Sequence, residues 1–217
     1  MINRIVLLGP PASGKGTQAA LLSATFGIPA ASTGAILREE RARGTDVGIE
    51  AESWTAQGNL FPDELALRVV WKWLDDRQRF ILDGFPRTLG QAKSFDQDLE
   101  ARRLPLDVVY LLNLSDALVR ERMTSRLTCL SCASVFNEKF HDVTAGAPCP
   151  RCGGELVRRA DDTEEALEHR LAQYREYTLP VAHHYQSNGL LKEVDVTAGR
   201  DAVFNRLYGD IRGELSE

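Results

Sequence analysis

Gly9-Pro10-Pro11-Ala12-Ser13-Gly14-Lys15-Gly16-Thr17 decides how this chain is read. An apolar run, Ile5-Val6-Leu7-Leu8, precedes it, and Gln18-Ala19-Ala20-Leu21-Leu22 follows with helical character. Apolar strand, glycine-bearing loop, lysine and helix, in that order, form the context of a phosphate-binding loop, and Gly9 to Gly14-Lys15 fits G-x-x-x-x-G-K. Small residues and prolines let the backbone wrap tightly. Its N–H groups then turn inward and meet a helix N-terminus whose dipole favours an anion. Lys15 adds a full positive charge at the outer phosphates. The usual pattern has Ser or Thr directly after the lysine; here Gly16 intervenes and the hydroxyl comes at Thr17. Gly9, Pro10, Ala12, Ser13, Gly14, Lys15, Gly16 and Thr17 are the candidate phosphate-binding set.

The rest of the chain bounds what that loop serves. Its 217 residues suffice for one α/β domain with small insertions. At 43% hydrophobic and 26% charged residues it has the composition of a soluble globular protein. A net charge of −5 argues against a broad basic face for nucleic acid, so phosphates must be met by local arginines and lysines. The first residues enter a strand at once and do not read as a signal peptide. No apolar run approaches the ~20 residues of a membrane span. A cytoplasmic location is expected.

Strands are expected at 2–8, 28–31, 79–83, 108–112 and 190–196. Helices are expected at 15–25, from a Thr33 cap to Arg43, at 46–57, from Pro62, and at 88–103, 116–126, 162–185 and 201–214. Leu65, Val69 and Trp73 share a helical face, and they, Trp54 and Trp71 read as packing groups. Strand alternating with helix implies a parallel five-stranded sheet covered on both faces, with ligands beyond the carboxyl ends of the strands. Asp83, ending its strand, falls at that edge beside the loop.

Cys129-x-x-Cys132 and Cys149-x-x-Cys152 are 16 residues apart, the spacing of a four-cysteine zinc site. Two disulfides are the alternative, disfavoured in a reducing compartment. Four thiolates close the coordination sphere, so such a zinc is structural. It would staple an insertion too small to build its own core.

Ile81-Leu82-Asp83-Gly84-Phe85-Pro86-Arg87-Thr88, with Gly9–Thr17 and Ser32-Thr33-Gly34, resembles the adenylate kinases of the long, zinc-lid type. In that family Gly-Lys-Gly-Thr is the normal loop ending. The resemblance implies a P-loop α/β core at 1–31, 61–126 and 163–217, a monophosphate-binding insertion at 32–60 and a zinc-stapled lid at 127–162. It also implies reversible transfer of the γ-phosphoryl group of MgATP to AMP, by a monomer. By resemblance Asp83 holds Mg²⁺ through waters. Thr33, Gly34, Arg38, Leu60, Phe61, Gly84, Phe85, Arg87, Gln91, Arg159 and Arg170 form the AMP side, with Gln91 reading the adenine edge. Arg122, Arg126, Val135 and Phe136 join the loop on the ATP side. Lys15, Arg87, Arg122, Arg126, Arg159 and Arg170 are the catalytic cations. Arg122 and Arg126 are expected at i, i+4 on one helix face, and Asp161-Asp162 are expected to anchor the lid to its arginines. Four positions depart from the family: Ala35 where Asp is common, Phe61 where Val is usual, and Ser125 and Leu127 in place of Gly and a second Arg.

An ionised phosphate acceptor needs no general base, which leaves charge, alignment and exclusion of water as the catalytic means. Two other readings stay open at this stage. One is a monophosphate kinase with another acceptor, favoured by Ala35 and Phe61. The other is a zinc-stabilised ATP-binding regulatory module, favoured by Ser125 and Leu127. A zinc-ribbon nucleic-acid binder conflicts with the acidic balance.

Overall fold

The computed structural model describes residues 2–55, 62–132, 134–158 and 162–214. In chain order the first elements are β1 (Arg4–Leu8), α1 (Lys15–Phe26), β2 (Ala30–Ser32), α2 (Thr33–Ala42), α3 (Asp46–Thr55) and α4 (Asp63–Leu74). Next come β3 (Phe80–Asp83), α5 (Leu89–Ala101), β4 (Val108–Asn113) and α6 (Asp116–Thr124). The cysteine segment gives β5 (Arg126–Cys129), β6 (Val135–Asn137) and β7 (Leu156–Val157). The chain closes with α7 (Glu164–Gln173), a π-helical turn (Tyr174–Thr178), α8 (Leu179–Ser187), β8 (Leu191–Asp195) and α9 (Arg200–Arg212). Leu60, Phe61 and Arg159, named above as site residues, lie outside the described residues, as do Gly58, Asp161 and the side chain of Trp54.

Five strands pair in parallel in the order β2-β3-β1-β4-β8. Alternation along β1 divides the core in two. Val6 and Leu8 face Val70 of α4, Phe95 of α5 and Val181 and Tyr185 of α8. Ile5 and Leu7 face Leu22 of α1 and Leu207 and Ile211 of α9. Both faces are covered, so the central strands read as unbroken apolar runs. Register then places the chemistry: Asp83 pairs with Leu7 on one side and Ser32 on the other. The loop after β1, the start of α2 and the end of β3 therefore meet at the carboxyl edge of the sheet, where ligands of such sheets bind.

Leu65 and Val69 are buried in a small cluster with Ile36 and Leu37 of α2, and Trp73 packs against it, as their spacing predicts. Trp71 packs on the larger core. Helix α2 is tied to α4 by Glu40, a buried carboxylate that accepts from Thr45 Oγ1 at 2.8 Å and from Lys72 Nζ. Those two hydrogen bonds hold its pKa below the usual carboxylate value.

Two expectations are corrected and a third is refined. Ser32, not Thr33, caps α2: its hydroxyl accepts from Ala35 N at 3.1 Å, and Thr33 is the first helical residue. Helix α6 stops at Thr124 rather than continuing to 126, so Arg122 and Arg126 do not share a helix face. The hydroxyls of Thr124 and Ser125 turn back onto the carbonyls of Arg120 and Glu121 and compete with further helix. Arg126 instead opens β5, whose alternation sends Leu127 and Cys129 inward. Finally, the long helix expected after 162 to about Tyr185, with a bend near Pro180, runs from 164 to 187; the bend takes the form of the π-helical turn next to Pro180, whose missing N–H cannot close an ordinary turn.

Candidate active site

Residues Gly9 at φ 144°, Ala12 at 56° and Gly14 at 92° wrap the loop at the head of α1. A Cβ on Gly9 would stand 2.6 Å from the carbonyl oxygen of Leu112, so only glycine lets the loop seat against the end of β4. Lys15 folds back over the loop, its Nζ donating to the carbonyls of Gly9 and Pro10 at 2.8 Å each and to Ser13 Oγ at 3.3 Å. Burial lowers its pKa to about 8; the Asp83 carboxylate opposes that shift, and Arg87 and Arg126 reinforce it.

That lowered pKa has a measurable consequence. Phosphate anions placed beside Nζ, as the loop motif implies, would favour its charged form and raise its pKa on nucleotide binding. Above pH 8 binding must therefore take up a proton. Nucleotide affinity is expected to fall by up to about tenfold per pH unit above that point, with no such slope below it. Calorimetric titration of ATP between pH 7 and 9.5, in buffers of different ionisation enthalpy, checks both the slope and the proton uptake.

Asp83 lies across the loop. Burial raises its pKa, while Lys15 and Arg87 pull it down. A Cβ on Gly16 would come within 3.2 Å of Asp83 Oδ2. The glycine that breaks the usual G-K-[ST] ending thus makes room for the carboxylate. Asp83 beside Lys15 and the loop is a donor of the kind Mg²⁺ prefers, hard oxygen at a phosphate site.

Arg87 follows the turn at Gly84, which takes φ 68°, and donates from Nε to the Gly84 carbonyl at 2.9 Å. Burial lowers the pKa of its guanidinium; Asp83 supports the charge and Arg170 opposes it. Phe85 is buried against Phe95, edge to face, and anchors this turn. Gln91 sits one helical turn on. Its Oε1 accepts from Arg87 N at 2.8 Å and its Nε2 donates to Asp63 Oδ1 at 2.9 Å. On the neighbouring element Thr33 is buried, and its Oγ1 has no hydrogen-bond partner among the described residues. Exposed Arg38 curls over Gly34, where a Cβ would lie 3.3 Å from its Nη1.

Arg126 and Arg170 converge on one carboxylate. Arg126 grips Asp162 through Nε at 2.8 Å and through Nη2, and Arg170 Nη1 lies 3.6 Å from the same group. Asp162 is nearly buried between them. Arg122 donates to the carbonyl of Val196 at 2.8 Å, and its guanidinium stands 6.0 Å from the ring of Phe140. Val135 is exposed on β6, whereas Phe136 turns toward the cysteine cluster and His141.

The four cysteine sulfurs all lie within 4.8 Å of one another. Cys129 and Cys152 are 3.5 Å apart, and Cys132 and Cys149 3.8 Å. A tetrahedral zinc with bonds of about 2.3 Å needs sulfur–sulfur edges of about 3.8 Å, so the set fits the ion. It does not fit disulfides, whose sulfurs stand about 2 Å apart.

Comparison with known proteins agrees with this geometry. Residues 7–190 match the family model described as adenylate kinase. The adenylate kinase of Clostridium botulinum (strain Loch Maree / Type A3) is 40% identical over 207 residues, 94% of this chain and 96% of that one. The adenylate kinase of Thermodesulfovibrio yellowstonii is 41% identical over the same shares. That of Clostridium tetani is 39% identical over 94% of this chain and 95% of its own. The chain belongs to the adenylate kinase family.

Against the adenylate kinase pattern, the two departures near the cysteines acquire a structural meaning. Leu127 is fully buried with Cys129, Cys149 and Leu156, so its side chain belongs to the packing of the insertion. Ser125 bonds Glu121 O at 2.7 Å and Asn137 Oδ1 at 3.1 Å, which binds the corner between α6 and β6. Sequence reasoning missed Asn137, which also donates to Arg122 O at 3.0 Å, and it missed Phe140 beside Arg122. It also missed Asp63, in the first turn of α4. Asp63 and Thr88 are joined by hydrogen bonds of 2.9 Å across 25 residues, a separation that no local pattern reveals.

Proposed function

We propose that this chain transfers the γ-phosphoryl group of MgATP reversibly to AMP, giving two ADP, with the residue roles that follow. The carrying observation is the convergence of Lys15, Asp83, Arg87, Arg126 and Arg170 at the carboxyl edge of the sheet, beside a buried Thr33 hydroxyl that lacks a partner. The loop amides, Lys15 and Arg122 take the donor phosphates, with Phe140 beside Arg122 on the donor side. Val135 and Phe136 line the donor side through the strand they share. Arg87 and Arg38 take the acceptor phosphate, and Thr33, Phe61 and Gln91 meet the acceptor base.

The acceptor phosphate is ionised near neutral pH, its second pKa being about 6, so no side chain has to remove a proton. What remains is alignment and positive charge on the transferring group. Asp83 would hold the Mg²⁺ carried in with ATP, and the ion would supply positive charge beside the transferring phosphates. Arg126 and Arg170 reach the reacting phosphates by exchanging Asp162 for phosphate oxygens, and Arg159 completes the set. Segments 32–60 and 127–162 fold over the two nucleotides and keep water from the γ-phosphate. A structural zinc on Cys129, Cys132, Cys149 and Cys152 supports the second of these. The proposal includes a monomer working in the cytoplasm; no helix among the described residues is long and apolar enough to cross a membrane.

Initial rates with MgATP and each of AMP, CMP, UMP and GMP test the reading. AMP is expected to be the preferred acceptor by kcat/KM. A preference for any other monophosphate overturns it.

A further inference from the structure

Two independent bonds fix which end of the Gln91 amide is oxygen. The N–H of Arg87 needs an acceptor and finds Oε1 at 2.8 Å; the carboxylate of Asp63 needs a donor and finds Nε2 at 2.9 Å. Asp63 is itself held. Thr88 Oγ1 donates to it at 2.9 Å, and the absence of a side chain at Gly90 admits it, since a Cβ there would stand 2.5 Å from Asp63 Oδ2. Thr88 in turn caps α5 by accepting from Gln91 N at 3.1 Å. The result is a closed ring of partners: Asp63, Thr88, Gln91 and the Arg87 backbone.

We propose that Asp63 is a specificity-determining positioning residue: it locks the flip of the Gln91 amide and so makes the acceptor pocket prefer adenine to a 6-oxopurine. The inference rests on the reading above, in which Gln91 meets the acceptor base. A primary amide has two N–H donors and two oxygen lone pairs. One donor is spent on Asp63 and one lone pair on Arg87, which leaves one N–H and one lone pair. Adenine complements that remainder, since its N1 accepts and its 6-amino group donates. Guanine and hypoxanthine carry the opposite pattern, an N1–H donor and a 6-oxo acceptor. They would put donor against donor and acceptor against acceptor.

An unrestrained glutamine escapes that clash by rotating its amide half a turn, which costs little when nothing distinguishes its ends. Here rotation would turn Oε1 onto the Asp63 carboxylate and an N–H onto the Arg87 N–H. Both contacts are repulsive, and Gln91 is buried, so no water repairs them. The carboxylate never touches the substrate in this account. It acts by making one amide orientation much cheaper than the other, which is how sites that hydrogen-bond a substrate reject its mismatched analogue.

Asp63→Asn tests it. Asparagine keeps the shape and can still accept from Thr88, but its own amide can face either end of Gln91. The expected result is a rise of about tenfold or more in the kcat/KM of GMP and IMP relative to AMP, with KM for ATP unchanged. Gly90→Ala, which drives the carboxylate away without removing it, is a second route to the same change. A wild-type enzyme that prefers AMP, with the same AMP-to-GMP ratio in both variants, overturns this inference alone. A parallel loss of AMP and GMP turnover in both variants also overturns it, because that is what a purely structural tie between α4 and α5 gives. A wild-type enzyme that prefers another monophosphate overturns the acceptor reading, and this inference with it.

Discussion

Lys15→Met is expected to lower kcat/KM for MgATP and AMP by about 10³-fold, the scale of losing one pre-organised charge at the transferring group. The variant keeps its fold. Lys15 titrates at about 8 in the folded chain, below the 10.5 of an unperturbed lysine. A depressed folded pKa means the fold disfavours the charged form. Below pH 8 the ion works against folding, and that penalty fades as pH rises through 8 toward 10.5. Methionine, of similar length and neutral, removes the penalty at pH 7. The expected pair of results is therefore a collapse in turnover and a thermal midpoint equal to wild type or higher. A coupled spectrophotometric assay and a calorimetric melt read the two. Activity within tenfold of wild type would place Lys15 outside the reacting centre.

The core was legible because its signals are local and repeated. Ile5–Leu8 is an unbroken apolar run, short and closed by a glycine turn, as a parallel strand covered on both faces reads. The place of Asp83 was legible because it ends its strand, where strand direction settles the edge it faces, whereas the role of Arg87 followed from the family resemblance. The α6–β5 boundary was not. Arg122 to Arg126 has helical spacing, and only the hydroxyls of Thr124 and Ser125, turned back on Arg120 and Glu121, end the helix. The sheet of the cysteine insertion was hidden by its size: β7 has two residues and β6 three, too few to display a period of two. The partnership of Gln91 with Asp63 spans 28 residues and depends on how α4 meets α5, which the sequence does not state locally. What was missed is thus tertiary: which partner satisfies a polar group whose presence was already seen.

Removal of the proposed zinc from the cysteine insertion is expected to melt that insertion while the parallel sheet stays folded. Among the described residues its apolar cluster has four buried members, Leu127, Cys129, Cys149 and Leu156, and two of those are proposed zinc ligands. With so little apolar area, burial cannot offset the ordering entropy of residues 127–158. A structural zinc contributes on the order of 10 kcal/mol of apparent folding free energy in small sites, enough to decide between folded and unfolded. The sheet does not share this dependence, because its two large clusters contain no cysteine. Chelation, or Cys149→Ser, should therefore split a single melting transition into two and open 127–158 to proteases. The damage reaches the chemistry through Arg126. That residue opens β5 just before the insertion and grips Asp162 at its far end, so the two ends of the segment close on one ion pair, which the proposed function places at the reacting phosphates. Without β5 the arginine loses its position, and kcat should fall at least about tenfold, one transition-state contact's worth. Affinity for nucleotide at the Gly9–Thr17 loop should change far less, because the loop is seated on β4. Metal analysis is expected to give one zinc per chain. A native chain with four titratable thiols, no metal and an unaltered melt would show instead that the insertion holds itself together. The Ser125–Asn137 corner would then be the feature to examine, since it is the polar tie that fastens β6 to α6 independently of the sulfurs.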